Sequence, residues 1–333
     1  DSIYVTSYDY VGSSKAISLA AFNLSDGSER WHQLIYTDST QSLDISPNTS
    51  SITVAGNVAY LRYNQTLYAC DATTGKTRWS QSAGDAKTDP GEVLPAPTVA
   101  GGAVFAILGD RKLHAFSAST GAPLWPTPFA AALPIRTQPV VSNDLVYVGA
   151  DSGWCYALDA ATSAVRWKVQ LFNSAKIEAS ELARFMALGL TLHENVLYIS
   201  GGFPVDDFET THHVHRGTIQ ALDPATGKIH WSSAPEEQIN NLGFIDSLFR
   251  ASPLVAGGDI FMATKLTIHN SRDINRLFAL NQQDGKVKWT LDVWGNTNSF
   301  GDSDGVPSAP VVSDNLLYII SGNEMLYAIS YAD

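Results

Sequence analysis

Leu67-Tyr68-Ala69-Cys70-Asp71-Ala72-Thr73-Thr74-Gly75-Lys76-Thr77-Arg78-Trp79 is the stretch on which the fold turns. Thr66 to Cys70 alternates as a strand does. Asp71 then leaves the strand, because a short carboxylate can bond the backbone two residues on. Gly75 supplies the positive-φ turn position, and the strand after it carries Trp79.

The same arrangement recurs along the whole chain. Of eight tryptophans, six share the pattern: Trp31, Trp79, Trp125, Trp167, Trp231 and Trp289. Ten residues before each stands an alanine: Ala21, Ala69, Ala115, Ala157, Ala221 and Ala279. Eight before stands Asn23, Asp71, Ser117, Asp159, Asp223 or Asn281, and four before stands Gly27, Gly75, Gly121, Gly227 or Gly285, with Ser163 as the exception. Alanine in the third strand leaves room for a large ring from a neighbour, and rings stacked this way would seal successive repeats. Upstream runs such as Leu145-Val146-Tyr147-Val148 supply further strands, so the unit is four strands of about 40–50 residues, the propeller blade. A solenoid is the alternative for repeats of this length. A last unit from 306 to 333 stops before a fourth strand, and the first lacks a clear opening strand. The expectation is an all-β protein with residues 1–333 forming one β-propeller of seven blades. Their ends fall near the six repeat tryptophans, with the last blade at 306–333.

The segments Leu67 to Trp79 and Ile219 to Trp231 resemble the repeat of the pyrroloquinoline quinone (PQQ) family, with six copies in register. The resemblance implies either a quinone-dependent alcohol dehydrogenase or a non-enzymatic bacterial propeller. The second branch is similar to the lipoprotein of the outer-membrane barrel-assembly machinery and to sensor propellers of membrane-bound kinases. For the dehydrogenase branch it implies a longer, eight-bladed propeller, an adjacent-cysteine disulfide over the quinone, a Ca²⁺ ion and an aspartate base. Cys70 and Cys155 are 85 positions apart, and no residue matches that aspartate. They read as equivalent places of two repeats, so no bond between them is expected. The expected function is therefore a non-catalytic, extracytoplasmic, protein-binding scaffold without PQQ. Its partners would be copies of itself, other domains of the same chain, or other proteins. The rival is a PQQ dehydrogenase or small-ligand sensor using the central channel.

Composition agrees with that class. Apolar residues make up 44%, too many for a disordered chain, and the net charge is -12, the wrong sign for nucleic acid. No run of 18 apolar residues is present, and Asp1 opens on a strand-like run as a processed domain would.

Spacings of 48, 46, 42, 64 and 58 between the repeat tryptophans place insertions in the fifth and sixth units. Ala175–Phe185 reads as a short helix that packs on the scaffold or binds a partner. Phe203–His215 lengthens a hairpin, where His212, His213, His215 and Asp207 form the candidate metal-ligand set. Lys265–Asp273 lengthens the matching hairpin of the next unit. Gly295–Gly305 reads as a connecting loop with Asp302 and Asp304 alternating as in a Ca²⁺ loop. Trp154, Phe208 and His269 are the candidate partner contacts; for Trp154 the alternative is packing on a neighbouring blade.

Overall fold

The computed structural model describes residues 1–11, 14–38, 49–84, 94–171, 186–206, 213–235, 245–248, 251–268, 274–294, 310–320 and 326–331. They form seven antiparallel sheets in chain order, as the seven repeats predict. The first is β1 (Ser2–Val11), β2 (Ser14–Asn23) and β3 (Glu29–Asp38). The second is β4 (Thr53–Ala55), β5 (Val58–Tyr63), β6 (Thr66–Asp71) and β7 (Thr77–Ser82). The third is β8 (Thr98–Ala100), β9 (Ala103–Ile107) and β10 (Leu113–Ser117). The fourth is β11 (Val140–Ser142), β12 (Leu145–Ala150), β13 (Trp154–Asp159) and β14 (Val165–Gln170). The fifth is β15 (Met186–His193), β16 (Val196–Asp206), β17 (His213–Leu222) and β18 (Ile229–Ser233). The sixth is β19 (Ile245–Leu248), β20 (Leu254–Ala256), β21 (Asp259–Ile268), β22 (Ile274–Asn281) and β23 (Val287–Trp294). The seventh is β24 (Val311–Ser313), β25 (Leu316–Ile320) and β26 (Leu326–Ser330).

Two compact units divide the chain: Asp1–Leu145 with Asp159–Ala164, and Val146–Leu158 with Val165–Asp333. Within each, the core lies between consecutive sheets. In the first unit, Tyr60, Leu67 and Ala69 of the second sheet pack with Val104, Ala106 and Phe116 of the third. In the second unit, Phe261, Leu277 and Ala279 of the sixth sheet pack with Leu317 and Ile319 of the seventh. Both faces of an inner strand are thus covered, which is why β5 is buried at every position, Arg62 included.

Four sheets depart from the four-strand unit of the repeat. Among the described residues the third sheet has no fourth strand, although Trp125 was expected on one. Pro123, Pro126 and Pro128 occupy that segment, and proline has no N–H to give a ladder. The segment is tied instead at single points, by Leu124 N to Ala115 O at 2.8 Å and by the Leu113–Phe129 pair at 2.9 Å in both directions. The sixth sheet has a fifth strand, because β19 pairs with the extended end of β21, Ile245 opposite Ile268. The first sheet has three strands and lacks its opening strand, as its sequence indicated; the seventh pairs β24, β25 and β26 only. The Ala175–Phe185 helix and the Gly295–Gly305 loop lie outside the described residues.

Candidate functional site

Trp31, Trp79, Trp167 and Trp231 are fixed by two partners each, one inside the sheet and one beyond it. Inside the sheet, the register sets Ala21 opposite Trp31, Ala69 opposite Trp79, Ala157 opposite Trp167, Ala221 opposite Trp231 and Ala279 opposite Trp289. The neighbour for which each alanine leaves room is therefore the next strand of its own sheet. Across the alanine stands an aromatic of the second strand: Tyr4, Tyr60, Tyr198 and Phe261 are paired with those alanines. Tyr4, Tyr60, Phe105, Tyr147, Tyr198 and Phe261 each lie 5.7–6.1 Å from their tryptophan, tilted by 42–53°. This second aromatic series was not found from the sequence. Its separation from the alanine runs from nine residues in the second sheet to 23 in the fifth, following hairpin length, so no fixed spacing betrays it.

Beyond the sheet, five of the six indole N–H groups donate to a carbonyl of the following repeat. The acceptors are Ala72 O for Trp31 (3.3 Å), Ala118 O for Trp79 (3.1 Å), Ala160 O for Trp125 (2.9 Å), Pro224 O for Trp167 (2.9 Å) and Gln282 O for Trp231 (3.3 Å). Two of these carbonyls take a second donor, Tyr4 Oη to Ala72 O and Tyr60 Oη to Ala118 O, each at 3.1 Å. A carbonyl has two lone pairs, so both bonds can be made at once. Burial pushes the Tyr60, Tyr147 and Tyr198 phenols up.

The acceptor is held by the turn that the sequence marks. Asp71 Oδ1 accepts the Thr73 and Thr74 amides, both at 2.9 Å, and Asp159 and Asp223 accept in the same way. The turn glycines have φ of 69–74°. An added Cβ at Gly75, Gly121, Gly227 or Gly285 would stand 2.6–2.7 Å from the indole of the preceding repeat. Two demands thus meet at one residue, a left-handed backbone and contact with a flat ring. Ser163 has the same conformation, with φ 62°, so the exception in sequence is no exception in shape.

The cysteines need a correction. Cys70 follows Ala69 by one position, whereas Cys155 precedes Ala157 by two, so they are not equivalent and fall on opposite sides of their strands. Both are free and buried, and burial pushes the Cys155 thiol up to about 12 and raises that of Cys70.

Trp154 opens β13 after a short 3₁₀ turn, Asp151–Gly153, in which Ser152 has φ 60°. It is half-buried, 6.3 Å from Tyr156 of its own strand, with Lys168 Nζ 5.0 Å above its ring. In the histidine hairpin, Asp206 is opposite His213 and Pro204 opposite His215, so the lengthened hairpin is real and both histidines belong to β17. Asp207, Phe208, His212 and His269 lie outside the described residues. Metal ligation there rests on sequence spacing.

The sequence did not single out His114. Its Nε2 is 2.9 and 3.1 Å from the two oxygens of Asp110, and its ring stacks on Phe116 at 5.6 Å. A cavity of about 180 Å³ adjoins it, lined otherwise by Ala115, Phe116, Trp125 and three prolines. No hydroxyl or thiol lines that cavity, so the pair has no nucleophile to activate.

A family model described as outer membrane protein assembly factor BamB matches residues 14–203 and 189–333. The chain belongs to this PQQ_2 family. It is 32% identical over 123 residues to the serine/threonine-protein kinase AfsK of Streptomyces griseus, 36% of this chain and 15% of the kinase. It is 30% identical over 118 residues to BamB of Yersinia pestis, 35% of this chain and 26% of that protein. To BamB of Moranella endobia it is 21% identical over 273 residues, 78% of this chain and 58% of that one. The matches thus span less than two thirds of each of these relatives. The crystal structure of BamB from Moraxella catarrhalis superposes with a TM-score of 0.50 at 17% identity, covering 98% of this chain and 95% of that one. A europium-containing methanol dehydrogenase superposes with a TM-score of 0.56 at 11% identity, covering 99% and 80%. At such identities the likeness shows the β-propeller fold alone.

For this PQQ_2 member the described residues do not fit a quinone site of the dehydrogenase kind. The two cysteines are single buried thiols on separate strands. Among the described residues no three His, Cys, Asp or Glu side chains converge as metal ligands. Also among them, no helix is long and apolar enough to cross a membrane.

Proposed function

We propose that residues 1–333 act as one non-catalytic propeller domain outside the cytoplasm that binds other proteins and works without PQQ. The observation that carries this reading is the use of the repeat tryptophans. Five indole N–H groups are spent on backbone carbonyls between repeats, so the most conspicuous aromatic groups hold the scaffold rather than a ligand. Relatives named as assembly factors, and a kinase of which the matched part is a fraction, support a module that serves other polypeptides. The lengthened hairpins β16–β17 and β21–β22, the latter joined by β19, offer a platform beyond the regular sheets.

The test is reconstitution. The purified protein is given PQQ with Ca²⁺ and assayed for visible absorbance and dye-linked alcohol oxidation. In parallel, a photo-cross-linking amino acid replaces Trp154 or, as control, Thr73 in expressing cells. The expected result is no oxidation, with discrete protein adducts at Trp154 and none at Thr73. Turnover with PQQ, or the absence of adducts, overturns the proposal.

A further inference from the structure

We infer that the lengthened β16–β17 hairpin carries a three-ligand site for a zinc-type divalent ion, made by Asp206, His213 and His215. The inference goes beyond the protein-binding reading and does not depend on it.

β16 and β17 pair without a break, from Leu197 opposite Leu222 to Asp206 opposite His213. Successive residues of a strand alternate between its two sides, and residues directly opposite share a side. His213 and His215 therefore stand on one side of β17, and Asp206 stands on that same side of β16. The Cβ atoms of a directly opposed pair lie about 4.5–5.5 Å apart, and a diagonal neighbour lies at roughly 7–8 Å. The three positions are thus within reach of one ion, and the choice of staggered rotamers brings the donors onto it. The set drawn from sequence contained Asp207 and His212; the register gives the place opposite His213 to Asp206. Arg216 falls on the other side of β17, opposite Phe203.

That side of the fifth sheet is the one turned to the sixth. Gly217, Ile219 and Ala221 continue it at steps of two, and Ile219 and Ala221 cluster with Ile260 and Met262 of β21. β19 runs alongside β17, with Cα atoms within 8 Å. Its pairing with β21 sets Ile245 opposite Ile268 and Ser247 opposite Leu266, and these four positions fall on the side of the sixth sheet that carries Ile260 and Met262. Lys265 falls on the other side. Two imidazoles and a carboxylate thus stand in register on a sheet side that meets mainly apolar positions of the next sheet. A carboxylate so placed is costly unless it is paired. A divalent cation pairs it and engages both imidazoles at once.

The ligand set names the class of ion. His-x-His along one strand and a carboxylate on the next supply two nitrogens and one oxygen, a set with which zinc keeps a fourth position for water. Imidazole suits zinc and its transition-metal neighbours, whereas Mg²⁺ and Ca²⁺ take oxygen ligands. The place of the site also gives the ion a task. β18 pairs with β17 only from Ile219 onward, so the ion ties the part of the hairpin that the fourth strand does not hold.

The test is calorimetric titration of ZnCl₂ into the whole chain, with MgCl₂ in parallel. Zn²⁺ is expected to bind at a single site with Kd below about 10 μM, and Mg²⁺ is expected not to bind. Asp206→Asn, His213→Ala and His215→Ala are each expected to weaken Zn²⁺ at least roughly tenfold. His193→Ala, on β15, and Asp207→Asn are expected to bind as wild type. Co²⁺ gives a second readout: the intense visible bands of a four-coordinate site in the wild type, and only the weak bands of the hydrated ion in the three ligand variants. A further measurement needs no substitution, so a folding defect cannot mimic it. Zn²⁺ is expected to protect His213 and His215 of the wild type from diethyl pyrocarbonate, read by mass spectrometry, and to leave His193 reactive. No Zn²⁺ binding by the wild type, or no protection of His213 and His215, overturns the inference. So does binding that survives Asp206→Asn and is lost with Asp207→Asn, since that outcome returns the site to the set read from spacing.

Discussion

Gly121→Ala and Gly27→Ala form a matched pair that isolates the indole contact from the backbone effect. The two glycines hold φ of 74° and 71° in the same turn of the repeat, and both belong to the first compact unit. Alanine in the left-handed region costs about 1–2 kcal/mol at either position. The environments differ. A Cβ at Gly121 would stand 2.7 Å from Trp79 Cδ2, while one at Gly27 meets nothing within 4 Å. Relief at Gly121 requires the ring to move, which loosens the 3.1 Å bond from Trp79 to Ala118 O and the ring's packing against Tyr60. Overpacking of this kind adds about 1–3 kcal/mol. Gly121→Ala is therefore expected to cost about 2–5 kcal/mol and Gly27→Ala about 1–2 kcal/mol. Urea unfolding followed by tryptophan fluorescence measures both on the same transition. Equal losses, or a smaller loss at Gly121, would refute the reasoning.

Two further outcomes follow from the chemistry of the turns and the buried thiols. Cys70 and Cys155 are buried and held protonated, Cys155 up to about 12. Both should resist a thiol reagent at pH 8 and react fully once the chain is unfolded; rapid labelling of the native protein counts against the assigned packing. The Asp71 carboxyl is held down to about 2, first by the Arg78 guanidinium at 2.6 Å and then by the Thr73 and Thr74 amides. An unfolded aspartate titrates near 3.9, so this stabilisation is complete above about pH 4 and is lost as pH falls toward about 2. Asp71→Asn should flatten the acid limb of the stability curve in that window, and an NMR midpoint near the ordinary aspartate value would contradict it.

The seven sheets were legible because Trp, Ala, Gly and the polar turn residue keep fixed distances across one hairpin. What lay outside that hairpin was less legible. Tyr4, Tyr198 and Phe261 sit opposite the repeat alanines, yet variable hairpin lengths hide them from any spacing rule. The missing fourth strand of the third sheet was written in Pro123, Pro126 and Pro128, whose lost donors the tryptophan pattern masked. The pair of His114 with Asp110 escaped notice because four residues of separation in a turn carry no periodic signal. Position Gly27 looked like every other turn glycine, yet among the described residues an added Cβ there meets nothing within 4 Å. Trp154 was read as an outlier, and its contacts are with Tyr156 and Lys168 rather than with a repeat carbonyl.

The account depends most on indoles that join one repeat to the next. Hydrogen–deuterium exchange of the indole N–H signals, assigned by single Trp→Phe variants, tests this directly. Trp31, Trp79, Trp125, Trp167 and Trp231 should exchange slowly, since each N–H is bonded to a carbonyl of the following repeat. Rapid exchange of those five in the native protein would contradict the account.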